Sequence, residues 1–75
     1  MMEPQRIREI LATALPGAEI DVKDLTGTKD HFSATIAAPQ FAGKSLIEQH
    51  QMVYRALGDL MKAEIHALAL TTRAK

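Results

Sequence analysis

Residues 41–70, F-A-G-K-S-L-I-E-Q-H-Q-M-V-Y-R-A-L-G-D-L-M-K-A-E-I-H-A-L-A-L, read as a tight turn, one long helix and one strand. Gly43 sets the turn, because glycine adopts backbone angles closed to other residues. Ser45 stands at an N-cap position with Glu48 three residues on. That is the spacing of a capping box, in which each side chain bonds the other's backbone N–H. Leu46, Val53, Leu57, Leu60 and Met61 fall on a period of about 3.6 and predict one core-facing stripe. Ile47 and Tyr54 form a flanking stripe. The helix is expected to end between Gly58 and Lys62, since Gly58 weakens its last turn. Residues 65–70, I-H-A-L-A-L, alternate with a period of two, as a half-buried strand does. His66 lies on the face opposite Ile65.

Upstream, Pro4 suits the first turn of a helix. Ile7, Ile10, Leu11, Ala14 and Leu15 give that helix an apolar stripe over residues 4–15, and Pro16-Gly17 stops it. Residues 18–24 alternate apolar and charged and predict a strand with one wet face. Residues 25–30 form a polar loop centred on Gly27. Residues 31–38 predict a second strand with Phe32, Ala34 and Ile36 on one face, closing an antiparallel hairpin. Pro39 ends it. Residues 71–75 read as a polar tail.

The order is therefore α-β-β-α-β, an α/β (α+β) domain. The long helix returns the third strand parallel to the second through a right-handed crossover. A three-stranded mixed sheet with both helices on one face follows. Ile7, Leu11, Leu15, Ile20, Val22, Phe32, Ile36, Val53, Leu57, Leu68 and Leu70 are expected to supply much of the core.

Seventy-five residues make one domain, 1–75. Nine basic residues balance nine acidic ones. A net charge of zero argues against binding that depends on phosphate neutralisation over a basic surface. The chain has no cysteine, so it brings neither a disulfide nor a thiolate ligand. No apolar run reaches the roughly 20 residues that span a bilayer, and M-M-E-P-Q-R is not followed by the apolar core expected of a signal peptide. The cytoplasm is the expected compartment.

Three separated motifs, Phe41-x-Gly43, then His50-x-x-Val53-Tyr54 with Leu57, then Ile65-His66-Ala67-Leu68, resemble the signature of the BolA-like proteins. The loop before His31-Phe32 resembles that family's variable loop and strand start. The likeness covers nearly the whole chain. It does not extend to the short helix led by Thr-Pro with which many members continue past the third strand, where this chain has Thr72-Arg73-Ala74-Lys75.

The resemblance implies a fold similar to the type II KH domain, and binding rather than catalysis. BolA-like proteins pair with monothiol glutaredoxins and share a [2Fe–2S] cluster, for which the glutaredoxin brings its cysteine and a glutathione thiol. The implied BolA-side ligand is the histidine of the I-H-A-L strand, His66. A second ligand often comes from the loop between the first two strands. There His31 is the candidate, with Asp30 beside it as a weaker oxygen donor. The isolated chain is expected to hold no cluster, and to be a monomer or weak homodimer. The implied role is iron–sulfur cluster trafficking or iron sensing.

Blander readings stand beside these. Lone histidines on strands are common, and without the family His66 and His31 read as polar strand residues. His50 shares the apolar face of the long helix and reads as a packing residue. Gly43-Lys44-Ser45 echoes a phosphate-binding loop, but the glycine that motif needs five residues earlier is Ala38. Ser33 and Ser45 lack the partners of a nucleophile, so no enzyme is expected. The alternative function is a DNA-binding transcriptional regulator, with Lys44, Arg55, Lys62, Arg73 and Lys75 as a basic stripe around the turn–helix region. The G-x-x-G clamp of KH domains is missing, since Ala42-Gly43-Lys44-Ser45 has one glycine. A metal-free adaptor is a third class. Imidazole binds metal only when neutral, so histidine ligation predicts weaker cluster sharing as the pH falls through the histidine range near about 6.5.

Overall fold

The computed structural model describes residues 3–27, 31–65 and 67–75. The elements run α1 (Pro4–Ala14), β1 (Glu19–Asp24), β2 (His31–Ala38), a 3₁₀ turn (Pro39–Phe41), α2 (Leu46–Leu57), α3 (Leu60–Ala63) and β3 (Ala67–Ala74). The sheet order is β1-β2-β3, with β1 antiparallel and β3 parallel to β2. This is the mixed α+β sheet that the pattern predicts.

Local chemistry sets the boundaries. Pro4 opens α1, where its missing N–H leaves no bond unmade. The Asp24 carboxylate accepts from the N–H groups of Thr26 and Gly27 at 3.3 and 3.0 Å, which bends the chain out of β1. Leu25 N–H then donates to the His31 carbonyl at 2.9 Å and ties the hairpin. Gly43 takes a φ of +76° in the turn before α2, as its residue type predicts. The capping box is present. Ser45 N–H donates to the Glu48 carboxylate at 2.8 Å, and Glu48 N–H donates to Ser45 Oγ at 3.2 Å.

One face of the sheet carries the core. Phe32, Ala34, Ile36 and Ala38 of β2 are buried against Ile7, Leu11 and Leu15 from the first helix and Val53 and Leu57 from α2. Ile20 and Val22 on β1, and Leu68 and Leu70 on β3, pack at the margin and stay half-buried. A central strand has neighbours on both sides, and the outer strands have one. The other face carries Glu19, Asp21, Lys23, Thr35, Ala67, Ala69 and Thr71, which are exposed, with Ser33 half-buried and Ala37 buried.

The structure corrects the sequence reading in three places. The long helix stops at Leu57 and a separate turn, α3, follows. Gly58 adopts φ +56° and ψ −131°, an arrangement that breaks the helix rather than weakening it. The third strand starts at Ala67 rather than Ile65 and runs to Ala74, through the stretch read as a polar tail. Thr71–Ala74 pair with Thr35–Ala38, so the ladder extends as far as β2 does. Leu46, assigned to the core, is 59 % exposed, and Gln49 takes the buried place beside Val53 and Leu57. The Gln49 amide reaches back to the Lys44 carbonyl at 3.0 Å, which lets a polar side chain sit on that face. Phe41 and Ile65 are also fully packed, at 1 % and 2 % exposure.

Candidate functional site

The frame of the expected ligand site is the end of the hairpin and the parallel ladder beside it. His31 is the first residue of β2 and half-buried. Phe32 beside it points into the core, so the alternation of a strand puts the His31 side chain on the open face. The Cα partner of His31 across the ladder is Ala67, the first residue of β3. Directly opposed residues share a face, so the side chains of His31 and Ala67 lie on the same side of the sheet. His66 precedes Ala67 in the chain and lies outside the described residues, as does Asp30. The structure therefore describes one of the two expected histidine ligands and the strand start that follows the other.

His50 belongs to a different region. It is half-buried on α2, in the helix layer, and the sheet stands between that layer and His31. The packing role read from its spacing fits that place. Among the described residues, no three His, Asp or Glu side chains gather as a metal-holding group.

The basic residues do not form one stripe. Lys44 and Arg55 line a shallow depression on α2 with Glu48, Gln51 and Met52. Arg73 lies on the open face of the sheet, in a depression with Glu19, Asp21, Thr35 and Ala37. Lys75 Nζ donates to the Gly17 carbonyl at 2.8 Å and stands 3.5 Å from the Glu19 carboxylate. Lys62 is exposed on α3. The expected stripe of Lys44, Arg55, Lys62, Arg73 and Lys75 is thus divided between the two sides of the molecule, with acidic groups beside Arg73 and Lys75.

Glu48 has a marked electrostatic environment. The Ser45 backbone N–H holds its carboxylate below the usual glutamate range, helped by the Ser45 hydroxyl and the Lys44 charge, against slight desolvation. Its role is structural.

Sequence reasoning missed an exposed apolar group on α2. Leu46, Ile47 and Tyr54 are 59 %, 71 % and 42 % exposed. Ile47 and Tyr54 were visible as a flanking stripe. Leu46 was not, because periodicity alone does not say which flank a neighbour covers.

The family description "BolA-like protein" matches residues 9–75. The chain belongs to the BolA-like family. This BolA-like protein is 34 % identical over 68 residues to the Rickettsia prowazekii protein RP812, covering 91 % of this chain and 88 % of that one. It is 30 % identical over 79 residues to the DNA-binding transcriptional regulator BolA of Escherichia coli, covering 96 % and 75 %. Its fold matches the BolA domain of SufE1 from Arabidopsis thaliana with a TM-score of 0.86 at 32 % identity, over 95 % of this chain and 90 % of that one. The BolA-like assignment made on the three motifs is correct, and so is the fold it implied. No described helix of this BolA-like protein is long and apolar enough to cross a membrane.

Proposed function

We propose that this BolA-like protein is a cytoplasmic binding protein rather than an enzyme, and that it shares a [2Fe–2S] cluster with a monothiol glutaredoxin in cluster trafficking or iron sensing. His66 is the ligand from this chain and His31 the auxiliary. The observation that carries the reading is the β2–β3 register, which sets His31 opposite Ala67, the residue after His66 in the chain. The donor set suits half a cluster site. Imidazole is an established iron–sulfur ligand that raises the cluster potential relative to all-thiolate sites. With no cysteine here, the remaining thiolates have to come from the partner. The open face is suited to this, because the residue across the β2–β3 ladder from His31 is the small Ala67.

The test is a titration of this protein into cluster-loaded monothiol glutaredoxin, followed by visible absorption and circular dichroism, beside a His66→Ala variant. A spectral change with the wild type that is absent with the variant supports the reading. No change with either protein removes the mechanism. His31→Ala is expected to shift the spectrum of the mixed complex without abolishing it.

A second reading, DNA binding, is favoured by the name of the Escherichia coli relative and by Lys44 and Arg55 sharing one depression. It predicts DNA affinity that falls steeply with salt and drops in a Lys44→Ala/Arg55→Ala variant.

A further inference from the structure

The end of the hairpin that carries His31 also carries an exposed leucine. Leu25 is 60 % exposed. The other exposed large apolar side chains among the described residues, Leu46, Ile47 and Tyr54, all lie on α2. Leu25 N–H donates to the His31 carbonyl at 2.9 Å, one step beyond the Asp24–Phe32 pair of the β1–β2 ladder. The two residues are therefore opposed across the hairpin, and opposed residues put their side chains on one face. Ala67 stands on the other flank of His31, and Ser33 follows it along β2 on the same face. Of these three neighbours, Leu25 is the one large apolar side chain. Lys23, the next residue of β1 on that face, has its ammonium 3.8 Å from the Asp21 carboxylate, toward the far end of the strand. The row across the sheet is thus leucine, histidine, alanine, with the nearest charge on β1 drawn away from it.

We propose that Leu25 is the water-excluding side chain of the His31 ligand position: it lies against a cluster held there and shields the bond between imidazole and iron. The inference rests on the cluster-sharing function proposed above. Leu25 makes no bond to metal. An imidazole ligand is lost when a proton takes its nitrogen or water takes its place on the iron, and the apolar shell around a metal site controls that access and the local dielectric. Directly opposed residues of a hairpin have Cβ atoms about 4.5–5.5 Å apart, so a leucine opposite His31 reaches what His31 binds. The small Ala67 on the other flank leaves the approach open for the partner's share of the site. The same shell acts on the potential. Two ferric ions, two sulfides, two thiolates and two neutral imidazoles carry no net charge, and reduction adds one negative charge. Water stabilises the charged form, so a dry flank holds the potential down and a wet one raises it.

The experiment forms the mixed complex with cluster-loaded monothiol glutaredoxin and takes two readouts, the loss of visible absorbance after a chelator is added and the reduction potential of the cluster. Wild type is compared with Leu25→Ser, Leu25→Met and Ile47→Ser. Leu25→Ser is expected to produce the wild-type spectral change on mixing, then to lose its cluster about tenfold faster and to show a higher potential. Leu25→Met keeps an apolar side chain of similar reach and is expected to match the wild type. Ile47→Ser removes an exposed apolar group from α2 and is expected to match it too. Far-ultraviolet circular dichroism should be the same for all of them, because both positions are mostly exposed. A Leu25→Ser complex with the wild-type loss rate and potential overturns the inference and leaves the cluster-sharing function standing. An equal effect in Ile47→Ser overturns it as well, by making the effect general to exposed apolar groups. So does a Leu25→Ser protein that no longer binds glutaredoxin, which would make Leu25 a docking contact. A wild type that leaves the glutaredoxin spectrum unchanged overturns the proposed function itself, and this inference with it.

Discussion

Lys75 Nζ donates a 2.8 Å hydrogen bond to the carbonyl of Gly17, a residue 58 positions earlier in the chain. The same ammonium stands 3.5 Å from the Glu19 carboxylate, and the Lys75 N–H donates to the Ala38 carbonyl at 3.1 Å. Lys75, the residue after β3, therefore spans the end of the sheet and holds the turn after α1. Gln40 reinforces the same turn, its amide donating to the Pro16 carbonyl at 2.8 Å.

Removing this strap is expected to loosen the end of the sheet more than it lowers global stability. The Lys75–Glu19 pair is largely exposed, and such pairs contribute about 0–1 kcal/mol. In Lys75→Ala, amide exchange at residues 71–74 should quicken while the urea midpoint barely moves. Equal loss of protection across β2 would show that the strap supports the whole sheet.

The capping box of α2 makes two predictions. Ser45→Ala should lower stability by about 1 kcal/mol, the usual effect of losing an N-cap. The Glu48 carboxylate is held below its ordinary range by the Ser45 N–H, so its contribution is present above that range and fades as the pH falls through its lowered value. Glu48→Gln keeps an acceptor for the Ser45 N–H but does not titrate. Its stability-against-pH curve should be flatter on the acid limb than that of the wild type. Superimposable acid limbs would rule the carboxylate out.

Phe41 is 1 % exposed and belongs to the core cluster with Ile7, Phe32, Val53 and Leu57. Phe41→Ala should cost about 3–5 kcal/mol, through lost transfer energy and the cavity left behind. A domain of this size has about 4–11 kcal/mol in all, so the variant is expected to be partly or wholly unfolded at room temperature. Phe41→Leu should cost much less. A Phe41→Ala protein with an unchanged denaturation midpoint would contradict the packing.

Gly58 separates α2 from α3 at φ +56° and ψ −131°. A Cβ there meets nothing closer than the Arg55 carbonyl at 3.9 Å, so a substitution suffers from backbone strain and not from a clash. Gly58→Ala should destabilise by about 1–3 kcal/mol. A neutral result would mean that the break between the helices can relax into a continuous helix.

Much of the fold was legible because its signals are local. The Ser45–Glu48 spacing, the alternation of residues 31–38 and the stop at Pro16-Gly17 each act within a few residues. The hairpin and the crossover then leave few topologies. The site was legible as motifs rather than as geometry. The His66 and His31 assignments rest on the family likeness, and His66 and Asp30 lie outside the described residues. The errors fall where a distant neighbour decides. Leu46 and Gln49 lie on adjacent flanks of the same helix, and only the position of the sheet beneath α2 determines which is covered.

Taken alone, the sequence determined the α-β-β-α-β order of the main elements, the chain's neutral charge, the absence of thiolates and membership of the BolA-like family, because periodicity, capping and motif spacing are properties of short stretches. The tertiary structure decided the length of β3, the break between α2 and α3, and the dispersal of the basic residues. The physical reason is pairing. A threonine-rich tail such as residues 71–74 becomes strand only because the eight residues of β2 offer it a full-length parallel partner.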